Sequence, residues 1–81
     1  MKATVNRQLF MEYISIIPAD YGASVLIADG VLAVASFGQG ITARMPAYVI
    51  KNGQAFLNSD EWNNLISRIE NVCDAYVDVG D

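Results

Sequence analysis

The sequence predicts an α+β domain: a mainly antiparallel sheet with two helices packed on one face, in the order β-α-β-β-β-β-α-β. Three observations predict it. Two stretches, about 7–17 and the one after Ser59, carry apolar residues at helical spacing. The apolar run between them is broken by Asp29-Gly30 and Asn52-Gly53, dipeptides that suit hairpin turns because glycine, asparagine and aspartate tolerate positive φ. The tail "CDAYVDV" alternates apolar and polar residues, as a strand does.

Length and composition bound the rest. The 81 residues are read as a single domain, 1–81. A chain of this size buries roughly 60 to 65% of its unfolded surface, so a second copy or a partner would add useful apolar cover. With 53% hydrophobic and 17% charged residues the chain is globular rather than disordered. A net charge of −4 argues against direct binding to phosphate backbones and points to neutral or basic partners. The single cysteine, Cys73, excludes an internal disulfide, and the absence of histidine excludes Cys/His metal sites and histidine-based triads. No cofactor and no enzymatic activity are therefore expected, and a reducing cytoplasm is the expected compartment. Lys2 and Arg7 precede "LFMEYISII", but Glu12 interrupts that apolar run and no small-residue cleavage site is clear, so it is not read as a signal peptide.

"KATV" (2–5) opens as a short strand, and Asn6 is placed to cap a helix over about 7–17. Leu9, Phe10, Tyr13, Ile14 and Ile17 form its apolar stripe, and Pro18 stops it. After the loop "PADYG" comes "SVLIADGVLAVAS", the most hydrophobic stretch of the chain. A membrane helix needs about 20 apolar residues, and this run is shorter, with Asp29 and Gly30 at its centre. It is read as a hairpin with strands at about 23–28 and 31–37. A two-residue turn sets Ala28 opposite Val31, Ile27 opposite Leu32, Leu26 opposite Ala33 and Val25 opposite Val34. Val25, Ile27, Leu32 and Val34 then face the core. The other face carries Ser24, Leu26, Ala28, Val31, Ala33 and Ala35, and is either covered by another element or a contact surface. Leu26, Ala28, Val31, Ala33 and Ala35 are the candidate self-association residues.

The "GQG" break leads to strands near 40–45 and 47–51, interrupted at Pro46, and Asn52-Gly53 marks a second hairpin turn into "AFLN". Ser59 is placed to cap the second helix, with Asp60 and Glu61 in its first turn and Trp62, Leu65, Ile66 and Ile69 as its stripe. In the closing strand Cys73, Ala75, Val77 and Val79 face one way, and Asp74, Tyr76 and Asp78 the other.

The chain echoes itself. "VNRQLFMEYISII" (5–17) aligns without gaps onto "LNSDEWNNLISRI" (57–69) at an offset of 52, matching Asn6 with Asn58 and Phe10 with Trp62. Each copy is a strand entering a capped helix. With "KATVNRQLFMEYISII" as opening strand and helix, "LIADGVLAV" as hairpin and "GQAFLNSDEWNNLISRIENVCDAYVDV" as second strand, helix and strand, the chain resembles part of a DNA sliding-clamp domain of the bacterial polymerase processivity type. The resemblance implies a clamp-like fold and binding to replication or repair proteins through short apolar peptides. Two departures stand against it. The helices of a clamp line its hole with basic residues, whereas here Arg7 is set against Glu12, and Arg68 against Asp60, Glu61 and Glu70. A clamp-like domain would also add strands after Val79, so the last sheet edge is expected to be open to another copy or protein.

The remaining chemistry is sparse. "FGQGITA" (37–43) lacks the third glycine or the lysine of a nucleotide loop and reads as a bend. Cys73 has no basic neighbours in sequence and reads as a buried structural thiol, Asp74 and Asp78 as a solvated edge, and Trp62 as core. Arg44 and Lys51 flank Pro46 and Tyr48; Arg44, Tyr48 and Lys51 form a candidate anion contact. Three functions follow. The leading one is a non-enzymatic, clamp-like interaction module that forms a homodimer and binds a protein partner, with no direct nucleic acid or membrane contact. The second is a small acidic inhibitor of the phage or mobile-element type, blocking a nucleic-acid-binding enzyme with Glu12, Asp60, Glu61, Glu70, Asp74, Tyr76 and Asp78. The third is a small-ligand sponge with its site between subunits, near Arg44, Tyr48 and Lys51.

Overall fold

Residues 1–18, 20–38 and 40–80 are described in the computed structural model; Ala19 of the "PADYG" loop, Gln39 of the "GQG" break and Asp81 lie outside them. The chain runs β1 (Lys2–Asn6), α1 (Arg7–Ile14), β2 (Ala23–Ala28), β3 (Val31–Ser36), β4 (Thr42–Pro46), β5 (Tyr48–Lys51), β6 (Gly53–Leu57), α2 (Ser59–Glu70) and β7 (Tyr76–Gly80). The α+β class holds, and the strands divide between two antiparallel sheets, β5-β1-β7 and β4-β3-β2-β6. Five strands rather than four separate the helices, because "GQAFL" is a strand in its own right.

The first hairpin forms as its turn chemistry requires. Asp29 has φ 54° and Gly30 φ 75°, the paired positive values of a type I′ turn. The register sets Ala28 opposite Val31, Ile27 opposite Leu32, Leu26 opposite Ala33 and Val25 opposite Val34, as the two-residue turn predicts. Asn52-Gly53 behaves differently. Neither residue has positive φ, and β5 pairs with β1 while β6 pairs with β2, so no second hairpin exists. Gly53 packs against Met1, whose side chain a Cβ would overlap. The glycine is needed there for close approach. The chain also changes sheets at Pro46, the last residue of edge strand β4, where the Ala47 amide donates to the Gly30 carbonyl at 2.8 Å.

The two aligned segments carry the architecture. β1 and α1 lead from the three-stranded sheet to β2 in the other; β6 and α2 lead back to β7. β1 pairs with β7 and β2 with β6, so each unit pairs its strands with the other's. A single core lies between them. It joins Ala3, Val5, Val77 and Val79 of one sheet with Val25, Ile27, Leu32, Val34 and Met45 of the other and with Phe10, Ile14, Trp62 and Ile69 of the helices.

The helix ends depart from expectation. α1 stops at Ile14, three residues early: the Ile16 and Ile17 amides donate to Tyr13 and Ile14 carbonyls in a tighter i to i−3 turn that still buries Ile17. The cap of α2 is Asn58, not Ser59. Asn58 Oδ1 accepts from the Glu61 amide at 2.8 Å, while Glu61 Oε1 accepts from the Asn58 amide at 3.1 Å, a capping box. Asn6 serves α1 likewise, accepting from the Leu9 amide at 2.9 Å. Arg7 does not pair with Glu12. It reaches the end of α2, where Nε donates to the Ile69 carbonyl at 3.0 Å and Nη2 to the Glu70 carbonyl at 2.9 Å.

In the tail, only the last part alternates. β7 begins at Tyr76, burying Val77 and Val79 and exposing Tyr76 and Asp78. Cys73 and Ala75 precede the strand and are exposed, which overturns the expected buried thiol. Among the described residues, no helix is long and apolar enough to cross a membrane.

Candidate functional site: the outer face of the four-stranded sheet

Alternation along β2 and β3 leaves one side of this sheet uncovered. Its side chains lie in cross-strand rows: Thr42, Ala35, Ser24 and Phe56; then Arg44, Ala33, Leu26 and Gln54; then Pro46, Val31 and Ala28. All five expected self-association residues share this face. Leu26 is 44% exposed and Phe56 66%, whereas Ala28, Val31, Ala33 and Ala35 are partly exposed in a flat field between the edges. Phe37, just past β3, stacks obliquely on Phe56 with ring centroids 5.5 Å apart.

The whole molecule exposes 4781 Å², close to the roughly 4,800 Å² typical of a monomer of this mass. What marks this face is therefore its chemistry rather than surplus area. The strands "ASVLIA", "VLAVAS", "TARMP" and "GQAFL" contain no acidic residue although the chain carries nine, and Arg44 is their only charge. Phe37 is 38% exposed, so burying what remains exposed of Leu26, Phe37 and Phe56 would contribute roughly 0.6–2 kcal/mol each.

Phe37 and Phe56 were not among the residues expected here. β6 joins the sheet by pairing with β2, 30 residues away for Gln54 and Ser24, whose side chains meet at 3.3 Å. The alternation of "GQAFL" was the available signal. It sets Phe56 on the side opposite Ala55 and Leu57, but not which sheet it joins.

The other predicted groups are spread out. Glu12 is exposed on α1, where its Oε1 accepts from Gln8 Nε2 at 3.3 Å. Asp60, Glu61 and Glu70 are exposed on α2, Glu61 being engaged in the capping box. Asp74, Tyr76 and Asp78 line one groove together with Arg68 and Val72. Asp78 is held there: Thr4 Oγ1 donates to its Oδ1 at 2.6 Å, and Lys2 Nζ lies 3.8 Å from its Oδ2. Arg44 stands on the four-stranded sheet, whereas Tyr48 and Lys51 stand on β5 of the other, so the anion contact is divided between two sheets. Tyr48 instead shares a groove with Thr4, Asn6, Leu9 and Tyr76. Trp62 is 1% exposed and belongs to the core.

No protein-family model matches the chain, and no curated protein matches it in sequence.

Proposed function

We propose that this protein is a non-enzymatic interaction module that self-associates through the outer face of β4-β3-β2-β6 and binds a protein partner elsewhere on its surface. One observation carries the reading: an uncovered, acid-free face that exposes Leu26, Phe37 and Phe56 around small residues, on a chain of net charge −4. Repulsion between copies is weakest where neither brings carboxylates. Sedimentation equilibrium across the micromolar range tests it. The wild type forms a dimer, and Leu26→Lys, with an unchanged circular dichroism spectrum, is monomeric; a wild type that stays monomeric overturns the reading.

The likeness to a sliding-clamp domain supplies the class of the partner, a replication or repair protein. The equivalent caps Asn6 and Asn58, each at the junction of a strand and a helix, support the internal echo from which that likeness starts. Titration with a clamp-binding peptide should move a localised set of amide resonances in a two-dimensional NMR spectrum. No shift at saturating peptide counts against this partner class.

A further inference from the structure

Building on the self-association reading, we infer that two copies stack face to face about a two-fold axis parallel to the strands, between β2 and β3, so that each Arg44 lies over the Gln54–Phe56 edge of the other copy. An isologous pair must be complementary to itself, and this face is. Its one cation stands on edge strand β4 and its most exposed aromatic ring on the opposite edge strand β6. An axis along the strands lays β4 of one copy on β6 of the other, twice. Arg44 then meets Gln54 directly and Phe56 one row away, within reach of the guanidinium across sheets packed about 10 Å apart. The middle of the face fits as well: Leu26 falls over Ala33 and Val31 over Ala28, larger side chains against small ones, while Ser24 falls over Ala35.

An axis across the strands is the other closed arrangement. It lays β4 on β4 and β2 on β2, and when centred on their row it sets Arg44 against Arg44 and Leu26 against Leu26. That brings like charges into an apolar, poorly screened interface and leaves Phe56 without a cation. The strand-parallel axis therefore wins on both charge and shape.

Cross-linking separates the two arrangements while leaving Arg44 and Phe56 in place. In a Cys73→Ser background, Thr42→Cys with Gln54→Cys puts one thiol on each edge strand, and a short bis-maleimide should join residue 42 of one copy to residue 54 of the other. Thr42→Cys alone should not link to itself under either axis, because the two copies of residue 42 lie about 14 Å apart, three strand spacings laterally in one case and four residues along β4 in the other, so the 42–54 link is the one that discriminates. Arg44→Gln should weaken the dimer roughly 5- to 30-fold, as expected for two cation–π contacts. Self-linking of Thr42→Cys, or an unlinked double variant whose sedimentation still shows a dimer, overturns the axis. A Cys73→Ser parent that sediments as a monomer overturns the self-association reading itself, and the axis with it.

Discussion

The rings of Phe37 and Phe56 meet at 5.5 Å and 37° on the outside of the four-stranded sheet, tying the end of β3 to edge strand β6. The contact lies beyond the ladder hydrogen bonds, so it stiffens the corner of the proposed interface. In a double-mutant cycle with Phe37→Leu and Phe56→Leu, followed by urea denaturation at concentrations below dimerisation, the coupling should be about 0.5–1.5 kcal/mol. Coupling near zero would mean that the rings are merely neighbours.

Arg7 joins the first residue of one helix to the last carbonyls of the other. Its two bonds neutralise the negative end of α2 and fix the angle between the helices. Because the side chain is partly exposed, Arg7→Met should cost about 1–2 kcal/mol rather than the full value for a buried charge. Glu12→Gln, with no bond to Arg7, should change stability by less than about 0.5 kcal/mol. Thermal denaturation of both variants checks the contrast.

The capping arrangement makes a similar distinction between neighbours. Asn6→Ala and Asn58→Ala should each cost about 1 kcal/mol, since each leaves the third amide of its helix without an acceptor. Ser59→Ala should be nearly neutral. A large loss at Ser59 would place the cap where the sequence alone first suggested it.

The two turn dipeptides give a third pair. Gly30 holds φ 75°, so Gly30→Ala should cost about 1–2 kcal/mol, whereas Asn52→Ala should cost little because Asn52 is not at positive φ. Equal losses at the two sites in chemical denaturation would contradict the sheet assignment.

These contrasts show what was legible in the sequence. Local rules were enough for the Asp29-Gly30 hairpin, its register and faces, the helix stripes and the core position of Trp62, because each depends on spacing within a few residues. The 52-residue echo matches Asn6 to Asn58, yet the local pattern of the second helix points to Ser59 as its cap, one residue too late. Pairing between distant segments was not legible. Asn52-Gly53 carries the same turn signal as Asp29-Gly30, but β1 and β2 compete for the flanking strands and win, which splits the sheet in two. For the same reason the reading of the interaction face contained its centre and missed Phe56 at its edge. At Cys73 the alternation of "CDAYVDV" misleads, because it continues before Tyr76 whereas pairing with β1 begins only there, opposite Asn6.

We propose above all that the outer face of β4-β3-β2-β6 meets a second copy. Amide chemical shifts recorded by NMR from low micromolar to near-millimolar protein test it most directly. Concentration-dependent shifts should be confined to residues 24–28, 31–37, 42–46 and 53–57, with the surfaces of α1, α2 and β7 unmoved. Shifts that are absent throughout, or that cluster on the helices, would contradict it.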